Sequence, residues 1–227
     1  MTPLDAIIFD FDGVLLESEF ELNRLTAELL TGLGHPTSFE EAIEHYTGLA
    51  GRHVIEKIEA RIGRQLPDEF HNRMSEASRR ALADGIEPIA GAIEFVRRLP
   101  PDLPRAIASS SSTRWVRTHL AHLGLSDAFE PHIYSGREHV SRGKPAPDLY
   151  LHAADSLDAD ILRTVVIEDS RVGATGALAS GARVIGLAAG SHCLEGHAGM
   201  LRAIGVKEVA SSFDQVAALL GLDQMSK

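Results

Sequence analysis

The fold is decided by the stretch Ile7-Ile8-Phe9-Asp10-Phe11-Asp12-Gly13-Val14. Its apolar residues predict a buried strand, which Gly13 ends. Because side chains two positions apart on a strand share a face, we expect Asp10 and Asp12 to project together while Phe11 turns into the core. Acids at the carboxyl end of such a strand lie where an α/β sheet binds its ligands. Taken alone, an Asp-x-Asp-Gly pattern also fits a calcium loop or an acidic turn.

The order of helical and strand signals divides the chain into two parts. From 18 to 87 the pattern is helical throughout, and after Pro88 strands alternate with helices. This alternation predicts a parallel sheet with right-handed crossovers. We therefore predict an α/β fold with a Rossmann-like core of residues 1–17 and 88–227 and an inserted, all-helical cap of residues 18–87. The first cap helix carries one apolar stripe: Leu22, Leu25, Leu29 and Leu33.

A serine-rich loop follows the predicted strand 105–109 and precedes a helix. Its hydroxyls and backbone N–H groups lie where an anion can bind. Among the hydroxyls, those of Ser109 and Ser110 are the main candidates. Thr113 is expected to cap the helix that follows. A serine-rich loop by itself also fits a solvated turn.

Two further loops carry charged residues at the ends of predicted strands. Lys144 lies in a loop stiffened by two prolines, so its side chain loses less freedom when it points inward. Glu168 and Asp169 follow a buried strand, and both can reach one site only where that strand has ended. A single loop lysine also fits ordinary surface charge.

Four carboxylates gathered at one site need a cation. Two of them about 5 Å apart repel by roughly 3 kcal/mol at an effective dielectric near 20, and Lys144 alone cannot offset four acids and a phosphate. Oxygen ligands favour Mg²⁺ as the cofactor. The eleven histidines are scattered along the sequence. We expect His119 and His122 to lie at the surface and not to bind zinc.

These motifs follow one another in the order acid pair, hydroxyl, lysine and acid pair. In this order the sequence resembles the haloacid dehalogenase (HAD) superfamily. The likeness is greatest to its members with a small helical cap, the β-phosphoglucomutase-like proteins and sugar-phosphate phosphatases. It implies that Asp10 is the nucleophile that forms an aspartyl-phosphate and that Asp12 is the general acid and base. It also implies that Ser109 holds the phosphoryl group and that Lys144 contacts both this group and Asp10. HAD dehalogenases lack the second acid, so Asp12 favours phosphate chemistry.

The resemblance also implies a set of metal ligands. Asp10, the backbone carbonyl of Asp12 and Asp169 would bind the ion directly, and Glu168 would act through a bound water. In this family the cap closes over the active site, so the cap is expected to supply specificity. The candidate substrate-binding residues there are Gly48, Arg52 and His53, with Arg52 as a clamp for a second anionic group. Arg52 equally fits a solvated helix start.

Composition limits the partners. The net charge of −10, without an offsetting cluster of Lys and Arg, disfavours nucleic acid as a partner. The sequence has one cysteine, Cys193, which excludes an internal disulfide and suits a reducing compartment. No signal peptide or membrane-spanning run is evident. We expect a cytoplasmic protein, without membrane contact, that is a monomer or weak homodimer and binds a small phosphorylated metabolite.

These observations predict a magnesium-dependent phosphatase that hydrolyses a small phosphomonoester, a sugar phosphate or a sugar-acid phosphate. One alternative is a sugar phosphomutase, but mutases of this kind carry a histidine where this sequence has Leu22. Another is a non-catalytic phospho-acceptor module that resembles a receiver domain. Receivers are about half as long and have no helical cap inserted after the first strand.

Overall fold

A six-stranded parallel sheet forms the centre of the molecule. The computed structural model describes residues 4–49 and 51–222, and its strands lie in the order β3-β2-β1-β4-β5-β6. The strands are short, and those in the middle of the sheet are mostly apolar and buried, as expected for a parallel sheet covered by helices. This confirms the predicted α/β, Rossmann-like fold. The strands are β1 (Ala6–Phe9), β2 (Arg105–Ser109), β3 (Ile133–Ser135), β4 (Thr164–Glu168), β5 (Arg183–Leu187) and β6 (Glu208–Ala210).

Helices cover both faces of this sheet. Alternate residues of β1 point to opposite faces: Ile7 and Phe9 belong to one buried cluster and Ile8 to another. The first cluster is covered by α5, α6, α7 and α11, and the second by α8, α9 and α10. These helices are α5 (Ala92–Arg98), α6 (Thr113–Leu123), α7 (Ser126–Phe129), α8 (Asp148–Ser156), α9 (Arg171–Ser180), α10 (His197–Ala203) and α11 (Phe213–Leu220), with a 3₁₀ helix at Ile161–Arg163.

Two local expectations about α6 are wrong. The cap of this helix is Ser112, whose hydroxyl accepts a hydrogen bond from the backbone N–H of Trp115, whereas the Thr113 hydroxyl donates to Glu138. His119 is fully buried, because its position on the helix faces the core, while His122 is exposed.

The segment between β1 and α5 consists of four helices. They enclose a separate cluster of buried side chains that includes Leu30, Tyr46, Ile58 and Phe70. The helices are α1 (Ser18–Gly32), α2 (Phe39–Tyr46), α3 (Arg52–Ile62) and α4 (Asp68–Asp84). None of the helices in the described ranges is long and apolar enough to cross a membrane.

The leucine stripe of α1 is only partly buried. Leu29 and Leu33 pack against the cluster of the four helices, whereas Leu22 is exposed. The residues of α1 that are buried are mostly polar. Its buried residues are Ser18, Glu19, Asn23, Thr26, Ala27 and Leu30.

Two short linkers join the four helices to the sheet, and they run side by side. Leu16 and Pro88 form an antiparallel bridge. On either side of it, the backbone N–H of Glu17 donates to Glu87 O at 2.9 Å, and that of Ile89 donates to Leu15 O at 3.1 Å. The helical segment therefore begins and ends at the same place on the molecule.

Candidate active site

The candidate site lies at the carboxyl ends of β1 and β4, which are neighbours in the sheet. From β1 the chain proceeds to β2 on one side of it and returns to β4 on the other, so this is the point where strand order reverses, and such points bind ligands in open α/β sheets. Asp10, Glu168 and Asp169 follow the two strands and are buried. Each has a carboxylate oxygen within 4.8 Å of one from the other two.

Lys144 reaches this cluster from the loop before α8. Its Nζ donates to Asp10 Oδ1 at 2.8 Å and to Glu168 Oε1 at 2.6 Å, and its side chain is only 1% exposed. Glu168 is held further by Tyr150, whose hydroxyl donates to Oε1 at 2.7 Å, and by the backbone N–H and hydroxyl of Ser170, which donate to Oε2 at 3.1 Å. The structure thus fixes the lysine against the acid at position 10.

The charges of this cluster do not balance. Burial raises the pKa of Asp10 well above its ordinary value, and Glu168 raises it further, against the opposing effect of Lys144. Burial alone would lower the pKa of Lys144, but Asp10 and Glu168 outweigh it and keep the ammonium charged. Burial contributes most to the shift of Asp10, and both pKa values also reflect that a single lysine faces several carboxylates. A further cation would stabilise the ionised form of Asp10.

Asp169 has one oxygen engaged and one free. Its Oδ2 is 2.8 Å from Nε2 of His192, and its Oδ1 is buried with no hydrogen-bond partner in the described ranges. Burial alone would lower the pKa of His192, but the hydrogen bond to Asp169 outweighs burial and raises it to about 11. A buried carboxylate oxygen without a partner, beside two other carboxylates, fits a divalent cation with oxygen ligands.

Gly13 explains how the acidic loop approaches Asp169. Its φ is +83°, and a Cβ atom on it would lie 2.2 Å from Asp169 Oδ2 and 3.1 Å from Cε1 of His192. Any side chain at this position would therefore occupy the space between the two acidic loops. A glycine at this position is thus required for the close approach of the loops.

The carboxylate of Asp12 is surrounded by donors. Its Oδ1 accepts from Ser18 Oγ at 2.7 Å and from Trp115 Nε1 at 3.0 Å, and its Oδ2 accepts from Ser111 Oγ at 2.7 Å. Ser109 Oγ is more distant from Oδ2, at 3.4 Å, and accepts from the backbone N–H of Ser111 at 2.9 Å. Ser111 therefore contacts both Asp12 and Ser109 and brings them together.

Of the three candidate substrate-binding residues in the helical segment, Gly48 is the one that lies against loops at the carboxyl ends of the strands. Ser110 Oγ donates to its carbonyl at 3.3 Å, and a Cβ atom on Gly48 would lie 2.6 Å from Ser170 Oγ. Arg52 is directed to solvent: its side chain is 85% exposed and its nearest ion-pair partner is Glu56 at 3.6 Å. His53 is also exposed.

Glu19 is a buried acid that the sequence analysis missed. It lies on α1 and accepts from the backbone N–H of Gly48 at 3.1 Å and from Asn23 Nδ2 at 2.9 Å. Burial raises its pKa to about 8, and the charges of Asp169 and Asp12 add to the rise. The helical segment thus places a carboxylic acid that is protonated at neutral pH next to the acids of the sheet.

Two other site residues were missed, although the sequence carries a signal for each. Trp115 is the one tryptophan of the chain and lies just after the serine loop. His192 lies in the loop that follows β5, and a search at the carboxyl end of each strand would have included it. Cys193 is next to it: burial raises the pKa of its thiol, but hydrogen bonds with His192 and His197 outweigh burial and lower it.

The fold and the site define an α/β enzyme with a buried cluster of acids and a lysine at the switch point of its sheet. A family model described as haloacid dehalogenase-like hydrolase matches residues 7–187. The chain belongs to this family, as the order of its motifs predicted.

Individual proteins agree with this assignment. The chain is 30% identical over 185 residues to a phosphorylated carbohydrates phosphatase of Thermotoga maritima, covering 78% of this chain and 82% of that protein. It is 29% identical over 179 residues to a fructose-1-phosphate phosphatase of Escherichia coli, covering 78% and 92%. A crystal structure of a conserved haloacid dehalogenase-like protein from Agrobacterium tumefaciens is similar at 34% identity and a TM-score of 0.83, covering 99% and 100%. The prediction of a phosphoric monoester hydrolase is confirmed.

Proposed function

We propose that this chain is a magnesium-dependent phosphatase that hydrolyses a small phosphomonoester, a sugar phosphate or a sugar-acid phosphate, through an aspartyl-phosphate on Asp10. The observation that carries the proposal is the buried contact between Lys144 and Asp10 beside Glu168 and Asp169. Two relatives named as phosphatases of phosphorylated sugars support the substrate class.

In the first step, Asp10 attacks the phosphorus of the ester. The new bond joins a carboxylate oxygen to phosphorus, while the bond from phosphorus to the alcohol oxygen breaks. Asp12 donates a proton to the departing alcohol, and Lys144 and Ser109 hold the phosphoryl oxygens. Asp12 is oriented for both proton transfers by the hydroxyls of Ser111 and Ser18 and by the indole N–H of Trp115.

In the second step, Asp12 is the base. It removes a proton from water, which attacks the phosphorus, and the bond to Asp10 breaks to give inorganic phosphate and the free carboxylate. Asp12 must therefore start protonated and return to that state. The hydrogen-bond donors around Asp12 hold its carboxyl group in place for both proton transfers, while Asp10 forms the covalent bond.

Magnesium would be held by Asp10, Asp169 and the backbone carbonyl of Asp12, with Glu168 acting through a bound water. When bound, the ion neutralises carboxylate and phosphate charge and keeps Asp10 ionised. The oxygen of Asp169 that lacks a partner in the described ranges supports this ligand set. Glu168 has a further task, since it anchors Lys144 through Oε1.

The segment 18–87 would be a cap domain on the core of residues 1–17 and 88–227. The paired linkers at Leu16 and Pro88 suit a hinge, because both chain crossings lie at one point. The cap would bring Gly48 and Glu19 over the site and, after closure, Arg52 and His53 to a second polar group of the substrate. The present position of Arg52 requires such a movement for substrate contact.

The test is phosphate release from a panel of phosphorylated sugars, sugar acids and glycolate-like compounds. We expect magnesium-dependent hydrolysis of at least one compound, its loss in excess chelator, and its loss in Asp10→Asn. The matched control is Asp155→Asn, an exposed acid on α8, which should retain activity. Turnover by Asp10→Asn at the wild-type rate would contradict the proposal, as would full activity in chelator.

A further inference from the structure

Three side chains with nitrogen and sulfur donors converge in the segment that joins β5 to α10. They are His192, Cys193 and His197, and one ligand atom of each lies within 4.8 Å of those of the other two. Cys193 Sγ is 3.4 Å from Nε2 of His192. The proposed reaction assigns no task to Cys193 or His197, so this cluster needs its own explanation.

Both imidazoles also contact Asp169. Nε2 of His192 is 2.8 Å from the side-chain Oδ2 of Asp169, and Nε2 of His197 is 2.8 Å from its backbone carbonyl oxygen. The nitrogen and sulfur cluster is therefore directly adjacent to the acid cluster of the active site, and Asp169 belongs to both.

The contacts of His192 cannot all be satisfied by protons. Its Nε2 carries at most one hydrogen, yet it lies between a carboxylate oxygen at 2.8 Å and a sulfur at 3.4 Å. One N–H donates well to only one of these atoms. Its other nitrogen, Nδ1, is buried and has no partner in the part of the chain that is described. A cation bound to Nε2 of His192, Sγ of Cys193 and Oδ2 of Asp169 would account for the close approach of these three atoms.

The distances suit a tetrahedral ion. Bonds of about 2.0–2.3 Å to nitrogen, oxygen and sulfur place neighbouring ligands about 3.3–3.6 Å apart. The observed 3.4 Å between Cys193 Sγ and His192 Nε2 lies in this range. The contact of 2.8 Å to Asp169 would lengthen by about half an ångström. Two imidazoles and a thiol are ligands that favour Zn²⁺ over Mg²⁺.

We propose that His192, Cys193 and His197 form a second metal site for a Zn²⁺-type ion, which draws on Asp169 as a further ligand. Because the second ion would compete with magnesium for the shared carboxylate of Asp169, occupation of the second site inhibits the enzyme. The inhibitory part rests on the proposed function, whereas the metal site stands on the cluster alone.

Cobalt is a direct probe, since Co²⁺ replaces Zn²⁺ and a thiolate ligand gives it an intense near-ultraviolet charge-transfer absorption. The chain has one cysteine, so any such band in the chelator-treated protein comes from Cys193. We expect the band on titration with Co²⁺ and its displacement by Zn²⁺. Cys193→Ser should lose the band and weaken Zn²⁺ binding about 100-fold or more, since even indirect ligand partners contribute 10- to 100-fold.

His197→Gln should weaken the cobalt band and Zn²⁺ binding as well. The matched control is His122→Gln, an exposed histidine on α6, which should bind as the wild type does. Circular dichroism and thermal unfolding establish that each variant is folded. No band in the wild-type protein, or an equal band in Cys193→Ser, would overturn the proposed site.

Alkylation of the wild-type protein gives a second readout that needs no variant. Iodoacetamide modification of Cys193 should slow at least tenfold when Zn²⁺ is present and should be unaffected by Mg²⁺. An equal rate with and without Zn²⁺ would contradict metal ligation by this thiol.

Inhibition is measured separately as phosphate release at increasing Zn²⁺. We expect Zn²⁺ to inhibit the wild type, higher Mg²⁺ to raise the Zn²⁺ concentration required, and Cys193→Ser to resist. Zn²⁺ binding with unchanged magnesium dependence would refute the sharing of Asp169. If no ester is hydrolysed at all, the proposed function fails, while the cobalt and alkylation results still decide the metal site.

Discussion

At the scale of single residues, the two acids that follow β1 have different surroundings. Asp10 faces a lysine and other carboxylates, and its pKa is raised by burial and by Glu168. Asp12 accepts hydrogen bonds from two hydroxyls and an indole N–H. The proposed nucleophile must be ionised when it attacks, so Asp10 needs a cation that offsets the carboxylates around it, whereas the proposed proton carrier Asp12 must both gain and lose a proton during the cycle.

Trp115→Phe tests the orientation of Asp12. The variant keeps an aromatic ring but loses the N–H that donates to Oδ1 at 3.0 Å. Hydrogen bonds to charged groups contribute about 1.5–3 kcal/mol, so we expect kcat to fall by about 10- to 100-fold with little change in KM. The pH profile of kcat should shift as well. An unchanged kcat and pH profile in a folded variant would show that the indole has no part in positioning Asp12.

The sequence singled out the acid pairs and the serine loop because each stands at the end of an apolar strand, and it singled out Lys144 because two prolines stiffen its loop. It could not identify Glu19 or Trp115 in the same way, because both lie on helices and their proximity depends on how these helices pack. The leucine stripe of α1 gave an incomplete picture for a related reason. Helix α1 packs against the cluster of the four helices and also buries polar residues toward the candidate site. The spacing of its apolar residues does not reveal that second buried face.

At the scale of elements, α9 fits against β4 because its first turns carry small residues. Gly173 is buried, and a Cβ atom on it would lie 1.7 Å from Glu168 Oε1. A Cβ atom on Gly176 would lie 2.9 Å from the carbonyl oxygen of Ala146, in the loop that carries Lys144. The glycines thus allow the helix to pack directly against the residues that hold the lysine.

Gly173→Ala tests this packing. The added methyl group must displace the Glu168 carboxylate, which is buried and held by four hydrogen bonds. We expect a loss of about 2–4 kcal/mol in the free energy of unfolding, measured in urea, and a loss of activity. The control is Gly199→Ala on α10, where a Cβ atom meets nothing within 4 Å. It should be neutral or up to about 1 kcal/mol more stable. Equal stability of the two variants would contradict the account.

Element boundaries followed from the sequence where the pattern was long or strongly marked. The expected strand at 105–109 matches β2, and the region 18–87, expected to be helical, contains α1 to α4. Helix α10 was not predicted, because glycines at 196 and 199 weaken its helical signal. Helix α11 follows an edge strand and was not predicted either.

At the scale of the whole molecule, the helical segment and the sheet meet across a layer of buried acids. Glu19 lies on this boundary, with Asp12 and Asp169 on the sheet side. The protein already carries a net charge of −10, so burying a further negative charge here is unfavourable. The acids gathered at the candidate site therefore carry an electrostatic cost to stability.

Stability at different pH values measures this cost. Burial raises the pKa of Glu19 from 4.5 to about 8, so between these values the folded state holds a proton that the unfolded state has released. In metal-free protein the free energy of unfolding should fall as pH rises through this window, by up to about 1.4 kcal/mol per pH unit.

Glu19→Gln should remove this contribution and flatten the curve. The control Glu44→Gln, an exposed acid on α2, should keep the wild-type slope. Parallel curves for wild type and Glu19→Gln would show that Glu19 is ionised in the folded protein.

The most direct measurement of the central claim is the mass of the peptide that contains Asp10 after acid quench of a turnover reaction. In Asp12→Ala, an activated aryl phosphate can still phosphorylate Asp10, because its leaving group needs no proton, while hydrolysis of the intermediate lacks its base. We predict that this variant, with Mg²⁺, accumulates one phosphoryl group on Asp10. A phosphoryl group on another residue, or phosphate release by the variant at the wild-type rate with no phosphorylated peptide, would contradict the account.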